Sequence, residues 1–239
     1  RMDVGDRVMA IVGGGAQAEL CVVHERMLMA VPDTVSWIQA GGFPEVFITG
    51  HDAVVTQAGL RTGERLLVHG AAGGVGTAAV QIGRIAGARV TATVRNQDHR
   101  EAVAELGATA IAPEGFAERG PFDVILELVG AINLADNLAS LETGGRIAII
   151  GTGAGAKGEI NLGLLMIKRA SIHGSTLRAR PLELKAIATR AVERSVLPAL
   201  AAGEITVPIA HTFRLDEVQD AYDRFAAGGK FGKIVLAAR

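Results

Sequence analysis

The segment His69-Gly70-Ala71-Ala72-Gly73-Gly74-Val75-Gly76 constrains this chain more than any other. It follows the apolar run Leu66-Leu67-Val68. It opens an Ala-rich stretch in which Val75, Ala78, Ala79, Ile82, Ile85 and Ala86 recur at helical spacing. Strand, glycine turn and helix in that order are the context in which a G-x-G-x-x-G pattern signals a phosphate cradle. Ala71 stands in place of the first glycine, so the pattern is a near-match. Gly73 lets the main chain approach a pyrophosphate, and Gly76 lets the helix lie close to the strand. The free N–H groups at the start of such a helix attract anions. Ala72, Gly73, Gly74, Val75 and Gly76 are therefore expected to hold the pyrophosphate of a dinucleotide.

A βαβ unit that selects a ribose 2′-OH usually ends its second strand with Asp or Glu. Here Ala88-Arg89-Val90-Thr91-Ala92-Thr93-Val94 reads as that strand, and Arg95-Asn96-Gln97-Asp98-His99-Arg100 follows it. The acid that would repel a 2′-phosphate is missing and a cation comes next. Arginine is a good charge-assisted donor to a phosphate monoester. The pattern predicts NADPH over NADH, although Arg95, His99 and Arg100 would also serve as a solvated helix start.

The chain of 239 residues is long enough for one or two domains, and its formal net charge of −1 gives no reason to expect nucleic acid as a partner. One cysteine, Cys21, leaves neither a disulfide framework nor a cysteine-rich zinc site. No apolar run is long enough to span a membrane and no signal peptide pattern is present, so a cytoplasmic protein is expected. Thirty-one glycines and few aromatics suit an α/β protein with tight turns and an aliphatic core.

From Glu64 onward, short apolar runs alternate with helical patterns, which predicts a doubly wound parallel sheet. Strands are expected at Leu66–Val68, Val90–Val94, Val124–Leu126, Ile147–Ile150 and Ser171–Gly174, with helices near 74–86, 98–106, 131–140 and 161–168. A longer helix near 182–200, a strand at Ile209–Phe213, a helix near 215–226 and a strand at Lys233–Ala237 follow. Before Glu64, Val8–Val12 and Ala18–Val23 read as strands joined by Gly13-Gly14-Gly15. Two helices are then expected, near 34–40 and from Pro44 to about Gln57, with Pro44 in a first turn. Domain limits are expected at 1–62, 63–212 and 213–239.

Common catalytic signatures are absent: there is no G-x-S-x-G elbow, no H-E-x-x-H, and no Lys four residues after Tyr222. His24, His51, His69, His173 and His211 are scattered and read as packed or surface residues. Hydride transfer to an electrophilic acceptor needs no metal, because the protein then supplies mainly binding, orientation and exclusion of water.

Taken together, Val4-Gly5-Asp6-Arg7-Val8, Phe43-Pro44-Glu45, Thr49-Gly50, the glycine segment, Glu127-Leu128-Val129-Gly130, Gly144-Gly145-Arg146, Gly174-Ser175-Thr176-Leu177-Arg178 and Gly232-Lys233-Ile234-Val235-Leu236 occur in one order. That order resembles the medium-chain dehydrogenase/reductase superfamily, and most of all its zinc-independent NADPH:quinone oxidoreductases, the zeta-crystallin-like branch. The resemblance implies a Rossmann domain plus a GroES-like β domain, of which only part is expected here. Family members carry a substantial segment before the Gly-Asp-Arg-Val strand, so the chain is expected to be a fragment. Zinc-dependent relatives insert a cysteine-rich lobe soon after that strand, whereas no Cys lies between Val8 and Ala18.

The resemblance further implies that Thr49 lies beside the nicotinamide and that Glu45 is a polar wall of the pocket rather than a ligand. It places Arg95, Asn96 and His99 at the 2′-phosphate, Val129 and Gly130 near the ribose, and Ile150, Gly151 and Thr152 at the nicotinamide amide. Phe231, Gly232 and Lys233 would make a carboxy-terminal contact to the cofactor, with a core role equally open to Phe231. No metal is expected. The implied activity is hydride transfer from NADPH to a quinone or similar conjugated carbonyl. An enoyl-thioester reductase and a non-catalytic NADPH-binding protein are the alternatives. A homodimer is expected through the sheet edge at Arg169–Gly174, because an unpaired edge invites pairing with another chain.

Overall fold

A computed structural model of the chain describes residues 2–238. The chain forms two compact units: Gly50–Ser175 is one, and the segments up to Thr49 and from Thr176 make the other. The breaks expected at 62/63 and 212/213 lie inside these units.

The unit Gly50–Ser175 is built on a six-stranded sheet in the order β5-β4-β3-β6-β7-β8. Its strands are β3 (Arg65–Val68), β4 (Arg89–Thr93), β5 (Thr109–Ile111), β6 (Phe122–Glu127), β7 (Leu141–Ile149) and β8 (Ser171–Gly174). Every neighbouring pair is parallel. Leu66, Leu67, Val68, Val124, Ile125, Leu126 and Ile147 are fully buried. Strands covered on both faces read as continuous aliphatic runs rather than as alternation, which is why they are visible in the sequence. A second cluster packs Phe116, Phe122 and Leu141 against Leu67, Ile125 and Ile147.

Helices α2 (Gly74–Ile85), α3 (Arg100–Glu105), α4 (Leu134–Ala139) and α5 (Leu162–Lys168) connect these strands. The buried face of α2, Ala78, Ala79 and Ile82, is small and aliphatic. Strand order runs outward in two directions from the β3–β6 pair, so the topology reverses between them. In open parallel sheets, ligands bind outside the carboxyl ends of the strands at such a reversal. The doubly wound sheet matches expectation, with one addition: Thr109–Ile111 is a sixth strand that the sequence reading omits. It is short and partly exposed, so no apolar run announces it.

The other unit has two small sheets. β1 (Val8–Ala10) pairs antiparallel with β2 (Leu28–Ala30), and β9 (Ile209–Arg214) pairs parallel with β10 (Lys233–Ala237). The partner of β1 is not Ala18–Val23, which forms no strand and exposes Leu20 and Val22 almost fully. The run Met27-Leu28-Met29 supplies the buried partner instead, with Met27 and Met29 at 3% and 0% exposure.

The two expected helices before Glu64 are one, α1 (Trp37–His51), which continues as a π-helical turn over Asp52–Gln57. Pro44 sits inside α1 rather than at its start. Phe43 and Phe47, both buried, stack at 4.5 Å on the same helix. The long helix expected near 182–200 is two, α6 (Leu182–Ser195) and α7 (Leu197–Ala201), with Pro198 in the first turn of the second. Proline lacks the N–H an interior position requires but fits an opening turn. Helix α8 (Val218–Ala226) precedes β10.

Candidate functional site

The turn after β3 is made by Gly70, whose φ of +62° lies in the left-handed region. Ala71 is buried and its N–H is held by the Thr93 carbonyl at 3.1 Å. The tight-turn glycine is therefore one residue earlier than the G-x-G-x-x-G alignment places it, and Ala71 is not a lost function. Gly73 is the N-cap of α2, and no side chain caps the helix. A Cβ on Gly73 would meet nothing closer than Gly70 O at 3.5 Å, so the protein's own packing leaves this position open to a ligand. Gly76 differs, because a Cβ there would lie 2.6 Å from both Ala71 Cα and Gly70 O. It is the residue that lets α2 start against the strand.

Around this cradle the carboxyl ends of β4, β6 and β7 bring three more loops to the same end of the sheet. Arg95, Asn96 and His99 follow β4, with Arg95 exposed and His99 half-buried. The Asn96 side chain accepts from Asp98 N at 3.1 Å and caps a short 3-10 turn. Val94, at the position where an acid would bind a 2′-OH, is buried. Val129 and Gly130 follow β6, and Gly130 has φ +138°, a conformation open to glycine. Ile150, Gly151 and Thr152 follow β7. These two loops are tied together: Ile150 N and Gly151 N donate to Glu127 O at 2.9 and 3.1 Å, and Ala154 N donates to Val129 O at 2.8 Å.

Beneath these loops lies a polar group that the sequence reading missed. Glu127, the last residue of β6, is 2% exposed. Its Oε1 accepts from Val129 N at 2.6 Å and Gly130 N at 2.9 Å. Its Oε2 accepts from the Asn133 and Asn137 amides at 3.1 and 2.8 Å. Asn137 Oδ1 lies 2.8 Å from His69 Nε2, and His69 Nδ1 lies 3.0 Å from Thr93 Oγ1. His69, Thr93 and Asn137 are all buried. Burial pushes the His69 pKa down, against the nearby Glu127 charge and the Asn137 contact. A neutral imidazole follows. Glu127, His69 and Asn137 were hard to find in the sequence because they are brought together from separate strands and a helix. The only signal was the acid of Glu127-Leu128-Val129-Gly130.

The remaining predicted residues belong to the other unit. Glu45 is exposed and its carboxylate lies 3.5 Å from Lys233 Nζ. Thr49 is half-buried near the end of α1, and Gly232 and Phe231 lie at the entry to β10. Among the described residues, no three His, Cys, Asp or Glu side chains are grouped so as to hold a metal ion. No helix among the described residues is long and apolar enough to cross a membrane.

Comparison with known proteins gives the same frame. The family described as "Zinc-binding dehydrogenase" matches residues 74–194, half of the chain. The chain is 30% identical over 252 residues to the quinone oxidoreductase of Lama guanicoe, covering 97% of itself and 72% of that protein. It is 27% identical over 246 residues to a phenolphthiocerol/phthiocerol polyketide synthase protein of Mycobacterium tuberculosis, covering 99% of itself and 11% of that much longer chain. Among solved structures, a quinone oxidoreductase of Pseudomonas syringae pv. Tomato DC3000 superposes with TM-score 0.84 at 27% identity, covering 98% of this chain and 75% of that one. Of three other solved structures, among them an NAD-dependent alcohol dehydrogenase, the chain spans 65, 58 and 60% of the length. With a six-stranded Rossmann sheet, a matching family signature and these relatives, the chain belongs to the zinc-binding dehydrogenase family of the medium-chain dehydrogenase/reductase superfamily, and is an oxidoreductase.

Proposed function

We propose that this chain binds NADPH at the carboxyl end of its parallel sheet and passes hydride to a quinone or a similar conjugated carbonyl, without a metal. The observation that carries the reading is the pairing of an open glycine cradle at the sheet's reversal with a β4 that ends in buried Val94 and exposed Arg95. Ala72 to Gly76 would take the pyrophosphate. Arg95, with Asn96 and His99, would take the 2′-phosphate. Val129 and Gly130 would face the ribose, and Ile150, Gly151 and Thr152 the nicotinamide amide. As the family resemblance implies, Thr49 would sit at the nicotinamide, Glu45 would be a polar pocket wall, and Phe231, Gly232 and Lys233 would contact the cofactor.

When bound, NADPH supplies the hydride. The protein's share is to orient donor and acceptor and to exclude water, and a misplacement of about 1 Å costs roughly 10²-fold. No side chain is assigned here as a proton donor, in keeping with an acceptor that is already electrophilic. The quinone oxidoreductase relatives favour this acceptor class. A second reading, reduction of an enoyl thioester, is favoured by the polyketide synthase match along nearly the whole chain. We also propose a homodimer through β8, which is one edge of the sheet.

The deciding experiment is steady-state NADPH oxidation with a naphthoquinone and with a crotonyl thioester. A higher kcat/KM on the quinone supports the first reading, and the reverse order favours the second. NADPH binding with no turnover of either would leave a binding protein and overturn both. Elemental analysis should find no stoichiometric zinc, and one tightly held ion per chain would contradict the metal-free reaction.

A further inference from the structure

The buried chain of hydrogen bonds under the cradle has a direction, and one residue sets it. A carboxylate only accepts hydrogen bonds. Four N–H groups converge on Glu127: Val129 N, Gly130 N, and the Asn133 and Asn137 amides. The Asn137 amide nitrogen therefore faces Glu127, and its Oδ1 faces His69. His69 Nε2 must carry the proton that Oδ1 accepts at 2.8 Å. A neutral His69 then accepts at Nδ1 from the Thr93 hydroxyl at 3.0 Å. The chain runs Thr93 to His69 to Asn137 to Glu127, joining the ends of β4, β3 and β6. Through its main-chain carbonyl, Glu127 also receives Ile150 N and Gly151 N from the loop after β7.

We infer that Glu127 is a positioning residue. Its carboxylate, oriented by Asn137 and His69, pre-forms the Val129–Gly130 and Ile150–Gly151 turns for the sugar and nicotinamide halves of the dinucleotide. This rests on the proposal that a nicotinamide dinucleotide binds here. Loops that are already in their bound shape lose less freedom on binding, so affinity rises without any new contact.

The substitution E127Q separates positioning from simple packing. It keeps volume but brings an amide NH₂ that must face either the two main-chain N–H groups or the two asparagine amides. Only the second arrangement is satisfiable, and only if both asparagine amides rotate. Asn137 would then donate to His69 Nε2, and the His69 proton would move to Nδ1 and point at Thr93. The charge-assisted bonds to the turn become neutral ones, which are roughly half as strong.

The test uses the full chain, wild type and E127Q. ¹⁵N NMR reads the His69 tautomer, hydrogen exchange reads the Val129 and Gly130 amides, and fluorescence titration reads the NADPH dissociation constant. The expected results are an Nε2–H tautomer and protected amides in cofactor-free wild type. In E127Q they are an Nδ1–H tautomer, faster exchange at both amides, and NADPH binding weaker by about tenfold or more. Unchanged NADPH affinity in a folded E127Q would overturn the inference. Should E127Q not fold, wild type decides alone: an Nδ1–H tautomer, or amides exchanging as in an open loop, would overturn it. Wild type that binds neither NADPH nor NADH refutes the underlying reading of the cradle, and the inference with it.

Discussion

The two ends of the six-stranded sheet handle charge in opposite ways. At the amino end, Arg65 pairs with Asp123 at 2.9 Å and Glu142 at 3.0 Å, while Arg146 pairs with Glu64 at 2.8 Å. Arg146 also donates to Ala58 O at 2.7 Å, Gly59 O at 3.0 Å and Asp123 O at 3.3 Å. These groups are partly exposed, and each ion has its counter-ion. At the carboxyl end the Glu127 carboxylate is almost wholly buried and is met by neutral amides and main-chain N–H groups rather than by a cation. The first pattern staples strand starts together. The second shapes loops, because its donors are the loops themselves. A site is expected at the end where a buried charge is spent on holding backbone in place, and the topology reverses at that same end.

This contrast can be broken at several points. The largest effect is expected from Gly76→Val. The added Cβ meets Ala71 Cα and Gly70 O at 2.6 Å, main-chain atoms that have nowhere to go. We expect a loss of about 3 kcal/mol in stability, with NADPH binding below detection. Thermal unfolding and fluorescence titration check this, and a variant that still binds NADPH as wild type does would show that the cradle is elsewhere.

Next is Arg95→Ala, at the carboxyl end but outside the buried group. It should weaken NADPH by very roughly 10- to 150-fold, the worth of one good charge-assisted contact, and leave NADH nearly unchanged. Equal losses for the two cofactors would move the 2′-phosphate site away from Arg95.

Arg146→Met tests the amino end. Losing its partners should cost about 2 kcal/mol, roughly 4–8 °C in Tm, with the NADPH dissociation constant unaltered. A change in affinity comparable to that of Arg95→Ala would erase the distinction between the two ends.

The smallest effect separates the ends by pH. Burial holds His69 below its ordinary value of 6.5, against Glu127 and Asn137, and holds His51 down in the same way against Asp52. A depressed folded pKa means that the folded protein binds fewer protons than the unfolded chain, so this stability is full above pH 6.5 and falls as the pH drops below it. The Arg65 hydrogen bond, outweighing burial, holds Asp123 below its ordinary 3.8. Burial pushes Glu64 up, but Arg146 and the Arg61 N–H outweigh it and hold it below 4.5. Their contribution is full above those ordinary values and is lost only as the pH falls further. Tm measured against pH should therefore decline in two windows. His69→Gln should flatten the upper window, with His51→Gln as the comparator, and Arg146→Met should flatten the lower. A wild type with no decline between pH 7 and about 5 would contradict the neutral buried His69.

How legible each region was in the sequence follows from the same physics. The strands of the Gly50–Ser175 unit were readable because Leu66-Leu67-Val68 and Val124-Ile125-Leu126 are buried on both faces. Thr109–Ile111 was not, because an edge strand of three residues has no such run. In the other unit, the alternation across Ala18–Val23 looked like a strand yet is solvent-facing, while the true partner of β1 hides in a methionine-rich run after it. Pro44 suggested a helix start but sits within α1, where the helix continues around it. The glycine cradle was legible because its chemistry is local, although its tight turn falls on Gly70 rather than at Ala71. The Glu127 group was not, since residues 69, 93, 127 and 137 meet only once three strands and a helix are assembled.

Hydrogen exchange across the whole chain, with and without saturating NADPH, tests the central claim most directly. Within the Gly50–Ser175 unit, protection on binding should be confined to the carboxyl-end loops, at Gly70–Gly76, Arg95–His99, Leu128–Ala131 and Ile150–Gly155. The amino-end residues Ala58–Arg65 and Glu142–Arg146 should exchange as before. Protection centred on those amino-end residues, or none at the glycine cradle at saturating NADPH, would contradict the account.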